Sequence, residues 1–219
     1  MDFTFLIFQL SVLIFSVMIH EISHGFVAEK LGDDTARLAG RLTLNPLKHL
    51  DFFGYLLLPF LLFVTNSPVV LGWAKPVPYN PYKLHKDYKY GPLKVALAGP
   101  ASNLLLLLIL GLTARFGSGF LSPNLLSIFA FIAYLNVYLA VFNLLPIPPL
   151  DGSKLLPILF PRFAASIERI GFMGIAFVFI FLFLFSSVIS YIANRVFYLV
   201  AGQNVFAQMI NFLASFQGS

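Results

Sequence analysis

Runs of about twenty apolar residues dominate this chain. A bilayer-crossing helix needs about 20 such residues, and only helices or closed barrels satisfy their own backbone in lipid. The runs cover 3–27, 52–71, 95–113, 125–145, 171–192 and 196–216. Composition agrees: 59% of the residues are hydrophobic and 11% charged, against roughly 25% charged in soluble domains. Twenty-six phenylalanines are more than a core of 219 residues could enclose. The expected fold is therefore an all-α polytopic membrane protein with five or six apolar segments, one of them re-entrant, and short β-strands in its loops. The chain has no cysteine, which excludes a disulfide framework, a thiolate metal site and a cysteine nucleophile. Its formal net charge of +5 bears on topology rather than on nucleic acid.

The runs are not uniform. Pro59, Asn66 and Pro68 interrupt the second, and Gly99, Pro100 and Asn103 mark the third. The fourth ends in Pro146, Pro148 and Pro149, and the fifth carries no charge. In the sixth, Asn204, Gln208 and Asn211 share one helical face, so it either lies in the membrane interface or packs that face on other helices. Between the runs, residues 37–44 alternate, with Leu38, Leu42 and Leu44 on one side, and read as a strand. Residues 72–78 read as extended, because each residue before a proline is steered from helical dihedrals.

The first run also holds His20-Glu21-Ile22-Ser23-His24, after seventeen almost wholly apolar residues. Ionisable groups at membrane depth are costly and mark functional sites by default. Two histidines four apart share one helix face and can reach one metal ion, while Glu21, offset around the helix, suits a general base. The bland reading is a chance match whose polar groups reach water at the helix end. A third candidate ligand is Asp151, in Asn143-Leu144-Leu145-Pro146-Ile147-Pro148-Pro149-Leu150-Asp151-Gly152. The prolines break the fourth helix, which at membrane depth is tolerated beside a cavity, and Gly152 permits a sharp turn. Two histidines and one carboxylate leave a coordination position open, as catalytic zinc sites do. Asp151 as a mere cap of the next helix is the lesser alternative.

Three motifs in this order, the one at 20–24, Ala98-Gly99-Pro100-Ala101-Ser102-Asn103 and the run at 143–152, resemble the site-2 protease family of intramembrane zinc metalloproteases (peptidase M50 type). Residues 32–51, with Arg-Leu-Ala-Gly-Arg-Leu-Thr-Leu-Asn-Pro, resemble its bacterial and archaeal members. The resemblance implies that His20, His24 and Asp151 bind one zinc ion per chain and that Glu21 is the catalytic base. It also implies that Asn143 and Asn103 belong to the substrate-binding lining. Membrane proteins would be the substrates, cleaved in or near their transmembrane segments, and the chain would sit in a prokaryotic cell membrane. Residues 1–169 would form the metalloprotease core, and 170–219 a pair of C-terminal transmembrane or interfacial helices.

Topology follows from parity. Asp151, after the fourth run, can meet His20 and His24 only if the second run re-enters rather than crosses. On that arrangement twelve of the fourteen Lys and Arg lie on one side, in 28–94 and 146–169. That side is then cytoplasmic by the positive-inside rule, and the metal site opens toward it. The residues at 38–44 would hold an unwound substrate by strand addition. A metal or proton transporter is the rival reading, since intramembrane His, Glu and Asp serve both. A family member that binds zinc without hydrolysis is a third.

Overall fold

The computed structural model describes residues 3–49, 75–160 and 173–216. Five long helices make up most of it: α1 (Phe3–Lys30), α2 (Gly91–Phe116), α3 (Pro123–Asn143), α4 (Met173–Val200) and α5 (Gln203–Ala214). Three helices, spanning Thr4–Lys30, Gly91–Gly119 and Pro123–Asn143, are each long and apolar enough to cross a bilayer. The second apolar run, 52–71, with its expected re-entrant course, lies outside the described residues.

The helix ends follow local chemistry. Ser122 accepts a hydrogen bond from the Leu125 N–H ahead of Pro123, which removes one of the orphan donors at the start of α3. The prolines from Pro146 onward prevent α3 from continuing. At the other end of the bundle, Gly202 takes φ +90°, a left-handed conformation that costs glycine little. There the path bends by 119° from α4 into α5. Arg115 at the end of α2 donates to the Leu199 and Val200 carbonyls, which have no partner within α4.

Packing is set by small residues. On α2, Gly91, Val95, Gly99, Asn103, Leu107 and Gly111 recur every four residues and are all buried. Ala130, Ala133, Val137 and Ala140 are buried on α3. Lipid is as apolar as leucine, so close backbone approach and dispersion, rather than exclusion from water, hold such helices together. α2 packs against both α1 and α3, and α4 and α5 both pack on α3. α1 and α2 run antiparallel, with His24 beside Val95 and His20 beside Asn103. The connection between them therefore starts and ends at one end of the bundle, where Lys86 N–H donates to the Leu31 carbonyl at 3.2 Å.

One expectation needs correction. Among the described residues there is no β-strand. Residues 35–38 form one helical turn followed by turns and bends, because Asp33 accepts from both Thr35 N–H and Thr35 Oγ1 and winds the chain there. Leu38 and Leu44 are each 70% exposed, so the alternation buries no face. The course of the sixth run, left open by its sequence, is divided at Gly202. Helix α4 extends through Val200, and α5 has twelve residues, about 18 Å of helix against a core about 30 Å thick. It packs Val205 and Met209 inward and leaves Asn204, Gln208 and Asn211 exposed.

Candidate active site

His20, Glu21 and His24 lie on one turn of α1, and their ligand atoms fall within 4.8 Å of one another. The two imidazoles are edge-on, 4.6 Å between centroids. Each is fixed through Nδ1. That of His24 lies 2.7 Å from the Val95 carbonyl, and that of His20 lies 2.5 Å from Oδ1 of Asn103. A backbone carbonyl only accepts, so Nδ1 of His24 carries its hydrogen; with Asn103 presenting Oδ1, Nδ1 of His20 does too, and each Nε2 of the neutral ring presents a lone pair. Both lone pairs face the same atom: Asp151 Oδ2 is 3.0 Å from His20 Nε2 and 3.4 Å from His24 Nε2. Three electron-pair donors converging on one point call for a cation between them. Nitrogen and carboxylate donors in this combination suit zinc.

The surroundings keep that point open. A Cβ on Gly99 would overlap Nε2 of both histidines, so α2 passes the site where only a hydrogen fits. Asp151 begins a short 3-10 turn, Asp151–Leu155. Gly152 needs no positive φ in this tight turn. A Cβ there would strike the Leu144 and Leu145 carbonyls, so its bareness lets the turn press against the end of α3 and brings Asp151 to the histidines.

A cavity of about 440 Å³ opens beside this cluster, with Glu21, Tyr79, Asn143 and Lys154 in its wall. Its outer side is the extended segment 75–80. The Val77 N–H donates to Glu21 Oε2 at 2.8 Å, which orients the carboxylate and leaves Oε1 for another partner. Burial, then the nearby Asp151 charge, pushes the Tyr79 phenol above its ordinary pKa, so its hydroxyl stays protonated.

The segment is held from behind by Asp33, Arg41 and His49. Asp33, fully buried, accepts from Asn80 N–H, and Arg41 donates to the Lys75 and Pro76 carbonyls. His49, which also lies in a loop, is 2% exposed. It bonds the Thr43 carbonyl through Nε2, and its own carbonyl accepts from Lys75 N–H.

The family model described as "Peptidase family M50" matches residues 118–187. "Putative zinc metalloprotease YwhC" of Bacillus subtilis (strain 168) is 43% identical over 156 residues, 68% of this chain and 67% of that protein. The chain belongs to peptidase family M50. With it, the chain belongs to the zinc metalloproteases. "Putative zinc metalloprotease MJ0611" of Methanocaldococcus jannaschii is 34% identical over 67% of this chain and 72% of its own. "Putative zinc metalloprotease Rip2" of Mycolicibacterium smegmatis is 38% identical over 63% of this chain, which covers 51% of that relative's length. No solved structure matches the chain.

Of the M50 residues expected from sequence, His20, Glu21, His24 and Asp151 are brought together, and Asn143 lines the same cavity. Asn143 donates from Nδ2 to the Leu139 carbonyl at 3.0 Å, which leaves its second amide hydrogen and its Oδ1 available. Asn103 is placed differently from the substrate lining expected for it. It has no exposed surface and stands behind His20, away from the cavity wall. A polar residue inside an apolar run is the signal for Asn103 and equally for Asn136, which the sequence reading above does not single out. The role of Gly99 had no signal beyond its place in the 98–103 run.

Proposed function

We propose that this M50 chain is an intramembrane zinc endopeptidase that hydrolyses peptide bonds in or near transmembrane segments of other proteins. The convergence of the His20 and His24 Nε2 atoms with Asp151 Oδ2, beside Glu21 and a cavity at the end of apolar helices, carries the reading. His20, His24 and Asp151 would hold one zinc ion per chain. When bound, zinc supplies Lewis-acid polarisation of the scissile carbonyl and acidifies water.

The chain's own residues do the rest. Glu21, oriented by the Val77 N–H, takes the proton of the attacking water through Oε1 and returns it to the leaving amine. Asn143 positions the substrate carbonyl or the oxyanion that develops from it. A helical substrate has its carbonyls hydrogen-bonded, so it must unwind locally before one can enter. The site lies at the end of the bundle that carries the 31–49 and 75–90 loops. Twelve of fourteen Lys and Arg fall in 28–94 and 146–169, which supports an opening toward the cytoplasm of a prokaryotic cell membrane.

The test is cleavage of a panel of single-span membrane proteins by the purified chain and by Glu21→Gln, with zinc content measured in both. Glutamine can still accept from Val77 N–H, so fold and zinc should persist while hydrolysis falls about 10²–10⁴-fold. Equal cleavage by the two proteins with zinc present in both would remove Glu21 from the mechanism. Metal or proton flux without proteolysis would favour a transporter.

A further inference from the structure

Each imidazole of the metal cluster needs its Nδ1 fixed, and the two are fixed by different means. His24 uses the main-chain carbonyl of Val95 directly. His20 meets an amide, whose two ends look alike in shape but are opposite in function, so Asn103 alone does not determine which ring nitrogen of His20 carries hydrogen.

The next links remove the ambiguity. Asn136 on α3 lies 2.8 Å from the Ile132 carbonyl. That carbonyl can only accept, so the nearby atom of Asn136 is its Nδ2, and Oδ1 is turned the other way, to Asn103 at 2.7 Å. An oxygen facing Asn103 requires a donor, so Asn103 presents Nδ2 there and Oδ1 to His20. The second hydrogen of Asn136 Nδ2 goes to Ser16 Oγ at 3.0 Å, one turn before His20 on α1. Ser16, Asn103 and Asn136 are all buried, the two asparagines with no exposed surface. The direction of the chain thus originates at one backbone carbonyl and ends at the ring hydrogen of His20.

Resting on the zinc reading above, we infer that Asn136, with Asn103 and Ser16, is a positioning residue for the metal. It touches neither cavity nor ligand position, yet it holds His20 with Nδ1–H inward and Nε2 free for the ion. The partner that orients a metal-ligating histidine contributes to metal affinity, and its loss typically costs about 10–100-fold.

The experiment measures zinc dissociation constants by chelator competition on the full-length chain in detergent, without reference to proteolysis. Asn136→Leu fills the space and removes the polarity, and should weaken zinc about 10–100-fold. Tyr134→Phe is the control. It deletes another interhelical bond of α3, from Tyr134 to Asn194 Oδ1 at 2.9 Å, and should leave zinc affinity unchanged. Should the leucine variant not fold, Asn136→Ala asks the same question with less bulk. Unchanged zinc affinity in a folded Asn136 variant, or an equal loss in Tyr134→Phe, would overturn the inference. If the wild-type chain bound no zinc in the same assay, the metal reading would fail first and this one with it.

Discussion

The inner wall of the cavity, made by α1, α2 and α3, is joined mainly through side chains: Ser16, His20, Asn103 and Asn136 bond in series, and His24 reaches Val95. The outer wall, residues 75–80, is joined by charged side chains that bond its main chain: Asp33 to Asn80 N–H, Arg41 to two carbonyls, Glu21 to Val77 N–H. The difference has a simple cause. Inside a helix nearly every N–H and C=O is already paired, so polar contact between helices falls largely to side chains. The segment 75–80 has no regular structure and leaves its backbone groups to be satisfied from outside. Pro76 and Pro78 carry no N–H, and the hydrogen of Val77 between them goes to the proposed catalytic base. The inner wall thus sets where the proposed metal would sit, and the outer wall sets how Glu21 faces that point.

If the walls divide the work in this way, substitutions in each should fail differently. The largest effect is expected from Gly99→Ala in the inner wall. Alanine favours helix over glycine by roughly 0.5–1 kcal/mol, which offsets only part of the strain of moving two buried imidazoles aside. Its Cβ would occupy the space at both Nε2 atoms, and zinc binding should be abolished in a chelator titration. Retention of zinc with unchanged affinity would mean that the described site geometry is not the one that binds metal.

An intermediate effect is expected from Asp33→Ala in the outer wall. The substitution deletes the acceptor of Asn80 N–H and of both Thr35 donors. Hydrogen bonds to charged groups contribute roughly 1.5–3 kcal/mol each, so losing three should show in thermal unfolding in detergent as a loss of at least about 4 kcal/mol. Proteolysis should weaken with zinc affinity little changed. A parallel loss of zinc would show that the two walls are one cooperative unit.

The smallest effect lies at the hydrated edge, before α2. The Lys94 ammonium, then the Tyr90 N–H, hold the Asp87 carboxyl below its ordinary pKa. A depressed folded-state pKa gives stability that is complete above the unfolded value, about 4, and is lost as pH falls through the lowered one. Asp87→Asn should therefore lower the midpoint of thermal unfolding slightly at neutral pH, and the difference from wild type should vanish in acid. A difference that persists at low pH would point to packing rather than charge.

The sequence alone determined that the chain carries helices long and apolar enough to cross a membrane, and it singled out His20, Glu21, His24 and Asp151, the residues proposed to carry its chemistry. Both conclusions rest on local or compositional facts: apolar length, the four-residue spacing on one helix, and ionisable groups where lipid penalises them. It misjudged residues 37–44, because alternation in a short loop does not reveal whether any surface covers it. It left the course of the sixth run open, because composition does not show that Gly202 bends the chain and that Arg115, far away in sequence, takes up the carbonyls at the bend. The tertiary structure decided that Asn103 stands behind His20, that Gly99 keeps the metal position open, and that Val77 orients Glu21. Those facts depend on contacts between residues tens of positions apart, where a hydrogen bond has a direction and a missing Cβ a neighbour only once the helices have packed.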